Sequence, residues 1–258
     1  MDLELEGNVV LITGGTDGLG LALAQRLADE GALVAICGRT EERLVQAAAT
    51  LREAGADVLA VRADVEQAAD IARFVDEALS RWGRIDGIVH NAGRSAAGTL
   101  ESSDDETWES DLQLKLMGAV RLTRMALPHL RQSRGAALFT LAMAAKAPGA
   151  GSTPSSVSRA AGMALMKALS KELAPDGIRV NAILIGLIES GQWVRSAQAA
   201  GVELPAYYAR LAEGAAIPLG RVGRSDEFAD LAAFLLSSRA SYLTGTAINL
   251  DGGLSPAV

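Results

Sequence analysis

A short polar stretch, STPSSVSRAAG, runs from Ser152 to Gly162 and places five hydroxyl side chains in the seven residues before Arg159. Hydroxyl groups crowded before a basic residue are typical of an active site. Neither a serine hydroxyl nor a guanidinium transfers a proton readily at neutral pH, because both are very weak acids. The stretch therefore predicts a site, and leaves open which group would move a proton there.

A glycine-rich loop, Thr13–Gly20, follows a short apolar run and precedes a segment with helical spacing. Its glycines allow a sharp turn and let a pyrophosphate approach the backbone. The helix N-terminus that follows supplies free N–H groups and positive potential. The loop predicts a nucleotide site, with a plain glycine-rich turn as the alternative.

The chain that positions these two stretches alternates strands and helices from end to end. Apolar runs bounded by turn residues predict seven strands: NVVLI, ALVAICG, DVLAV, IDGIVH, AALFTLA, IRVNAILI and TAINL. Strands separated by helices of this length indicate an α/β fold with a parallel sheet and helices on both faces, as a single domain over residues 1–258. The segment 191–219 interrupts the rhythm, and its length favours a substrate lid.

Composition excludes several classes of function. The net charge is −7 without a basic block, which argues against a nucleic acid or an anionic membrane as partner. Cys37 is the single cysteine, so no internal disulfide forms and a cytoplasmic location is expected. We find no signal peptide and no apolar run long enough to cross a membrane. Two distant histidines and one cysteine predict no metal site.

Several separated motifs together resemble the short-chain dehydrogenase/reductase family, and those near the C-terminus look like its 3-oxoacyl-carrier-protein reductase branch. The resemblance covers nearly the whole chain and implies a Rossmann-type, doubly wound, seven-stranded parallel sheet that binds NAD or NADP. The motifs are Gly14-x3-Gly18-x-Gly20, His90-Asn91-Ala92-Gly93, Val180-Asn181-Ala182 followed by Gly186, Pro218–Gly223, Tyr242-Leu-Thr-Gly and Leu250-Asp-Gly-Gly253.

The end of the second strand bears on which dinucleotide is bound. An acid there holds the ribose of NAD, but the strand ends Cys37-Gly38-Arg39, and Arg39 can bind a 2′-phosphate. Asp17 opposes this, since NADP-dependent relatives often carry a basic residue at that place; we expect Arg39 to offset its charge. We predict NADP(H) over NAD(H). The resemblance implies a cofactor cleft formed by Gly14, Thr16, Asp17, Gly18, Leu19, Gly20, Arg39, Asp64, Val65, Asn91, Ala92, Gly93, Arg159, Gly186 and Ile188.

The catalytic positions that the resemblance implies are all replaced. Working members of the family use an Asn, a Ser, a Tyr and a Lys, and the Tyr protonates the substrate oxygen as hydride arrives. Here Ser155 stands in the tyrosine place, Arg159 in the lysine place and Lys115 in the asparagine place. The serine place falls on Ala142 or Met143, which carry no polar side chain.

Other groups can substitute only in particular settings. Burial of Lys115 among leucines would lower its pKa and make it an acid or base, but a side chain extending to solvent is favoured. Ser155 with Arg159 can form a donor, but an N-terminal helix cap is favoured for Ser155. Tyr207 and Tyr208 lie in the lid segment and could supply a phenol when it closes, although aromatic side chains there more often line an apolar pocket. Lys146, after the fifth strand, is a further candidate without supporting spacing.

Three functions follow. The first is an NAD(P)(H)-binding oxidoreductase acting on a small carbonyl or alcohol with a non-standard proton donor. The second is a catalytically inactive nucleotide-binding protein, a sensor or partner subunit. The third is a lyase or isomerase that uses the same cleft. The apolar helix Arg159–Leu173 also predicts a homodimer or homotetramer.

Overall fold

A seven-stranded parallel sheet forms the centre of the computed structural model, which describes residues 2–257. The strands are β1 Val9–Thr13, β2 Leu33–Gly38, β3 Val58–Arg62, β4 Gly87–His90, β5 Ala136–Ala142, β6 Arg179–Ile185 and β7 Ala247–Leu250. Their order across the sheet is β3-β2-β1-β4-β5-β6-β7. The predicted doubly wound α/β sheet is confirmed. Its order reverses between β1 and β4, which opens a crevice at their carboxyl ends.

The helices pack on both faces of the sheet. They are α1 Gly18–Asp29, α2 Glu41–Glu53, α3 Ala68–Trp82, α4 Asp105–Leu112, α5 Gly118–Ser133, α6 Ser155–Glu172, α7 Gly191–Ala199, α8 Leu204–Gly214 and α9 Ser225–Leu236. The core of one face joins α3, α5 and α6, and the core of the other joins α1, α2 and α9. None of the helices in residues 2–257 has the length and apolar character to cross a membrane.

Strand β1 shows how the sequence builds both cores. Its side chains alternate between the faces, so that Val9 and Leu11 join one core while Val10 and Ile12 join the other. All four side chains are buried. A strand buried on both faces reads as a continuous apolar run, which is why NVVLI is recognisable in the sequence.

A π-helical turn, Gln113–Met117, joins α4 to α5. The helical backbone continues through it from α4 to α5 without interruption. Such turns are uncommon and often lie at functional sites. Lys115 is the central residue of this one, so the irregular turn carries one of the candidate catalytic side chains.

The predicted lid segment, 191–219, holds the two short helices α7 and α8. Helix α7 begins against the glycine loop, because Gly191 lies so close to the Asp17 carboxylate that a Cβ would overlap it. The segment therefore borders the crevice, while its opening and closing stay a prediction.

Arg179 at the start of β6 joins the sheet to α9. Its guanidinium donates to the carbonyl oxygens of Leu235 and Leu236 at 2.6 and 3.0 Å, and to those of Ser237 and Ala240 at 2.9 and 3.3 Å. The last carbonyls of a helix have no partner within it, so a cation there satisfies them.

Replacing Arg179 with Met should lower the free energy of unfolding by about 2–4 kcal/mol, because several carbonyl groups lose a charged donor. Urea denaturation at fixed protein concentration measures the change. Arg210→Met, at an exposed position of α8, is the matched control and should change it by less than about 0.5 kcal/mol. Equal midpoints for the two variants would show that Arg179 does not hold α9.

Candidate active site

A cavity of about 620 Å³ opens where the carboxyl ends of the strands meet. The loops after β1 to β6 and the first residues of α7 line it. In an open α/β sheet this is the place where ligands bind. Its wall runs from the glycine loop to the hydroxyl-rich stretch.

The glycine loop is packed too tightly for side chains at two of its positions. A Cβ on Gly20 would collide with the Gly14 carbonyl group, and Gly14 itself has a φ of +68°, which favours glycine. The Asn91 side chain holds the turn by donating to the carbonyl oxygens of Thr13 and Gly14, both at 3.0 Å. The glycines therefore put no side chains between the cavity and the backbone at the N-terminus of α1, where a pyrophosphate can approach.

Two arginines line the cavity at the end of β2. Arg39 keeps more than half of its side chain exposed and lies 3.8 Å from the Glu66 carboxylate. Arg43, in the first turn of α2, is also exposed. Sequence reasoning found Arg39 and missed Arg43, which lines the same wall from the first turn of α2. Together they make this end of the cavity suited to a phosphate.

Asp17 has a different partner from the expected one. Its Oδ1 caps α1 by accepting from the Gly18 N–H at 2.7 Å, and its Oδ2 lies 3.4 Å from Arg195 Nη1 on α7. The structure pairs Asp17 with Arg195, whereas Arg39 lies beside Glu66. The negative charge of Asp17, which would disfavour a phosphorylated ribose, is thus paired with the positive charge of Arg195.

The cavity brings together nearly all of the predicted cofactor positions. Gly20 alone does not line it, because it packs behind the loop against Gly14 and Asn91. The predicted positions that do line it are Gly14, Thr16, Asp17, Gly18, Leu19, Arg39, Asp64, Val65, Asn91, Ala92, Gly93, Arg159, Gly186 and Ile188. Their roles toward a cofactor stay predictions.

Ser155 lines the same cavity and is the first residue of α6. Its hydroxyl oxygen accepts from the Ala96 backbone N–H and from Lys115 Nζ, each at 2.9 Å. The favoured interpretation of Ser155 as a helix cap is wrong: Pro154 occupies the cap position, and the Ser155 hydroxyl bonds to other parts of the chain. Sequence could not show these contacts, because both partners lie far away along the chain.

Lys115 is buried, and the expectation that it extends to solvent is wrong. Its side chain is 5% exposed, and Nζ bonds to Asp111 Oδ1 at 2.5 Å as well as to Ser155. Asp111 is 1% exposed and accepts from the Ser158 hydroxyl at 2.6 Å. Sequence reasoning missed Asp111. The available signal was its spacing of four residues from Lys115, which places both on one face of a helix.

The pKa of Lys115 is lowered to about 8 from its ordinary value of 10.5. Burial of the ammonium group is the largest cause, and the nearby positive charge of Arg159 adds to it. The hydrogen bond and charge of Asp111 oppose the change. A lysine that titrates near neutral pH can give or accept a proton under working conditions.

The hydrogen bonds around Ser155 fix where its own proton points. A hydroxyl group has two acceptor lone pairs and one O–H donor. Ala96 and the Lys115 ammonium occupy both lone pairs, so the O–H is left to donate into the cavity that Ser155 lines. The arrangement presents a polarised donor to a ligand oxygen.

Arg159 lies one helical turn beyond Ser155 and lines the cavity. Its Nη1 donates to the Thr140 carbonyl oxygen at 3.2 Å, and Nη2 lies against Gly93. Burial lowers the pKa of the guanidinium. The Thr140 hydroxyl at the same wall is buried without a hydrogen-bond partner in the described part of the chain. An unpaired hydroxyl beside a buried cation fits a polar ligand group.

The remaining candidates place no side-chain proton donor beside Ser155 in the cavity. None of the chain's three tyrosines lines it: Tyr208 packs in a small apolar cluster with Ile217, and Tyr242 is fully exposed. Lys146 Nζ donates to Ala247 and Asn249 on β7. Ala142 lines the wall without a donor. Residues 2–257 contain no cluster of side chains able to hold a metal ion.

Comparison with known proteins agrees with this fold. A family model described as Enoyl-(Acyl carrier protein) reductase matches residues 14–255. Dehydrogenase/reductase SDR family member 4 of Homo sapiens is 31% identical over 255 residues, which are 96% of this chain and 88% of that protein.

Two solved structures are closely similar. One is an NADPH-bound short chain oxidoreductase from Pseudomonas aeruginosa PAO1, described as containing an atypical catalytic center, with 37% identity, a TM-score of 0.92 and coverage of 97% and 98% of the two chains. The other is L-sorbose reductase from Gluconobacter frateurii complexed with NADPH and L-sorbose, with 34% identity, a TM-score of 0.94 and full coverage of both chains. On its fold, its glycine loop and these matches, the chain belongs to the short-chain dehydrogenase/reductase family.

Proposed function

We propose that this protein is an NADPH-dependent oxidoreductase that reduces a carbonyl group with Ser155 and Lys115 as its proton donors. The observation that carries the proposal is the 2.9 Å contact between Ser155 Oγ and a buried Lys115 Nζ. It supports a proton source at Ser155, the residue that the resemblance aligns with the family's tyrosine.

The cofactor end of the cavity supports NADPH. The bare backbone of the glycine loop suits a pyrophosphate, and Arg39 and Arg43 suit the phosphate on the adenosine ribose. Both similar structures described above hold NADPH. When bound, the nicotinamide supplies hydride to the substrate carbon.

The protein's own groups supply the proton. The Ser155 O–H donates to the carbonyl oxygen and transfers its proton as negative charge develops there. The Lys115 ammonium then returns a proton to Ser155 through the contact between them. The substrate thus gains one hydride and one proton and leaves as an alcohol. Arg159 adds a fixed positive charge to the same wall, which stabilises the developing oxyanion.

Asp111 keeps Lys115 in its acidic form and in place. Without it, burial and the charge of Arg159 would lower the pKa of Lys115 still further. A group that gives up protons near neutral pH is the most efficient general acid there. We therefore infer that Asp111 is a positioning residue that acts through Lys115.

This pair favours the oxidoreductase over the inactive alternative. The inactive protein was suggested by the loss of the tyrosine and lysine, and a buried, hydrogen-bonded Ser155–Lys115 pair offers a replacement for the donor. A lyase or isomerase using the same cleft stays a hypothesis. The neighbour described as having an atypical catalytic center is consistent with family chemistry performed by other residues.

Self-association also stays a proposal. Helix α6 leaves Val157, Ala164 and Ala168 exposed. Small apolar side chains along one exposed helix face suit contact with a second copy. A homodimer or homotetramer would cover them, and light scattering that finds a monomer would contradict it.

Replacing Arg39 with Met should weaken NADPH binding roughly 10- to 100-fold, because a charge-assisted bond to phosphate is lost. NADH, which lacks that phosphate, should bind as before. Fluorescence titration with both nucleotides measures this, with Arg124→Met at an exposed position of α5 as the control. An equal loss for both nucleotides would mean that Arg39 does not distinguish them.

Ser155→Ala and Lys115→Met should each lower kcat for ketone reduction by about 10²- to 10⁴-fold, the range for a general acid. NADPH binding should change little, since neither side chain lies at the phosphate end. In the intact protein kcat/KM should fall as pH rises through about 8, because Lys115 loses its proton there. Ketone, 3-oxoacyl thioester and quinone substrates provide the assay. Full activity of Lys115→Met would rule out this proton path.

A further inference from the structure

The contact between Ser155 and Lys115 reverses its direction when Lys115 loses a proton. An ammonium group can only donate, so Lys115 donates to Ser155 and the Ser155 O–H points into the cavity. A neutral amine also has a lone pair. Lys115 then accepts the Ser155 proton while its remaining N–H groups still donate to Asp111. In that state an oxygen lone pair of Ser155 faces the cavity.

We propose that the same pair carries a second activity, acyl transfer from a small carboxylic ester, in which Ser155 is the nucleophile and Lys115 is its general base. A serine hydroxyl within hydrogen-bond distance of a buried amine is the arrangement that activates it. The activity needs this contact alone and involves neither a nicotinamide nor a redox step.

The reaction balances with the groups at hand. Ser155 Oγ bonds to the ester carbonyl carbon, and its proton passes to the Lys115 amine. The bond from that carbon to the alkoxy group breaks, and the leaving alkoxide takes the proton from Lys115. Water then attacks the acyl-serine, again losing its proton to Lys115, and Ser155 leaves with that proton. The products are a carboxylic acid and an alcohol.

Two further features of the wall suit this chemistry. Arg159 projects from the same face of α6 as Ser155, one turn later, and supplies positive charge for the tetrahedral oxyanion. The Ala96 N–H fixes the Ser155 oxygen from the opposite loop, which limits its rotation. The cavity also has apolar lining from Ala97, Ala144 and Leu187, where a small acyl group can lie.

The two activities require opposite forms of one side chain. Carbonyl reduction uses the Lys115 ammonium and should decline as pH rises through about 8, whereas ester cleavage uses the amine and should increase over the same interval. The opposite pH dependences of the two rates therefore distinguish the second activity from the first in a single protein preparation.

The test is hydrolysis of p-nitrophenyl acetate by the full chain without added nucleotide. We expect a rate that rises through pH 8 and an acetyl group on Ser155, identified by mass spectrometry after acid quenching. Ser155→Ala should lower the enzymatic rate at least about 100-fold. Ser80→Ala, at an exposed position of α3, should leave it unchanged.

Lys115→Met leaves Asp111 buried and unpaired, which can impair folding. The double variant Lys115→Met with Asp111→Leu removes the charge pair as a unit and should also lose the ester reaction, while Lys171→Met on the exposed side of α6 should keep it. Three results would overturn the second activity. They are a rate in Ser155→Ala equal to that of the unmodified protein, acetylation only at residues other than Ser155, and a rate that falls as pH rises. Carbonyl reduction measured in parallel would be unaffected by such an outcome.

Discussion

The buried ion pair between Lys115 and Asp111 is the interaction on which the site depends. Removing two charges from water is costly, and each is retained only because the other compensates it. Lys115 also donates to the Ser155 hydroxyl, and Asp111 also accepts from the Ser158 hydroxyl. The π-helical turn carries Lys115, so the local irregularity of the helix and the buried charge occur together. Loss of either partner would leave the other buried without a compensating charge.

The two ends of the cavity match the family's motifs to different extents in the sequence. The cofactor end has the features that suit a dinucleotide: the glycine loop, the Asn91 side chain that holds its turn, and the arginines after β2. At the reacting end the resemblance predicts that Ser155 takes the place of the family's tyrosine. Its oxygen lies nearer the backbone, and Lys115 reaches it from the neighbouring helical segment. Lys115 lies on the π-helical turn and Ser155 on α6, so two elements would supply the proposed proton path.

Local patterns predicted the fold well because its signals are local. NVVLI is apolar throughout, since β1 is buried on both faces, and the glycine spacing follows from the tight packing of Gly14 and Gly20. The site was less predictable because its contacts join distant segments. Lys115 meets Ser155 across forty residues of chain, and Asp17 meets Arg195 across most of its length. Ser155 was taken for a cap because a hydroxyl at a helix start usually is one.

The most direct test of the central claim is the titration of Lys115 itself by NMR on lysine-labelled protein, with Lys115→Met used to assign its signal. Burial beside Arg159 predicts a midpoint near pH 8. In Asp111→Asn the midpoint should move lower, because the carboxylate that stabilises the ammonium is gone. A midpoint at the ordinary value of 10.5 in the intact protein would contradict the account, since Lys115 would then hold its proton too tightly near neutral pH to supply Ser155.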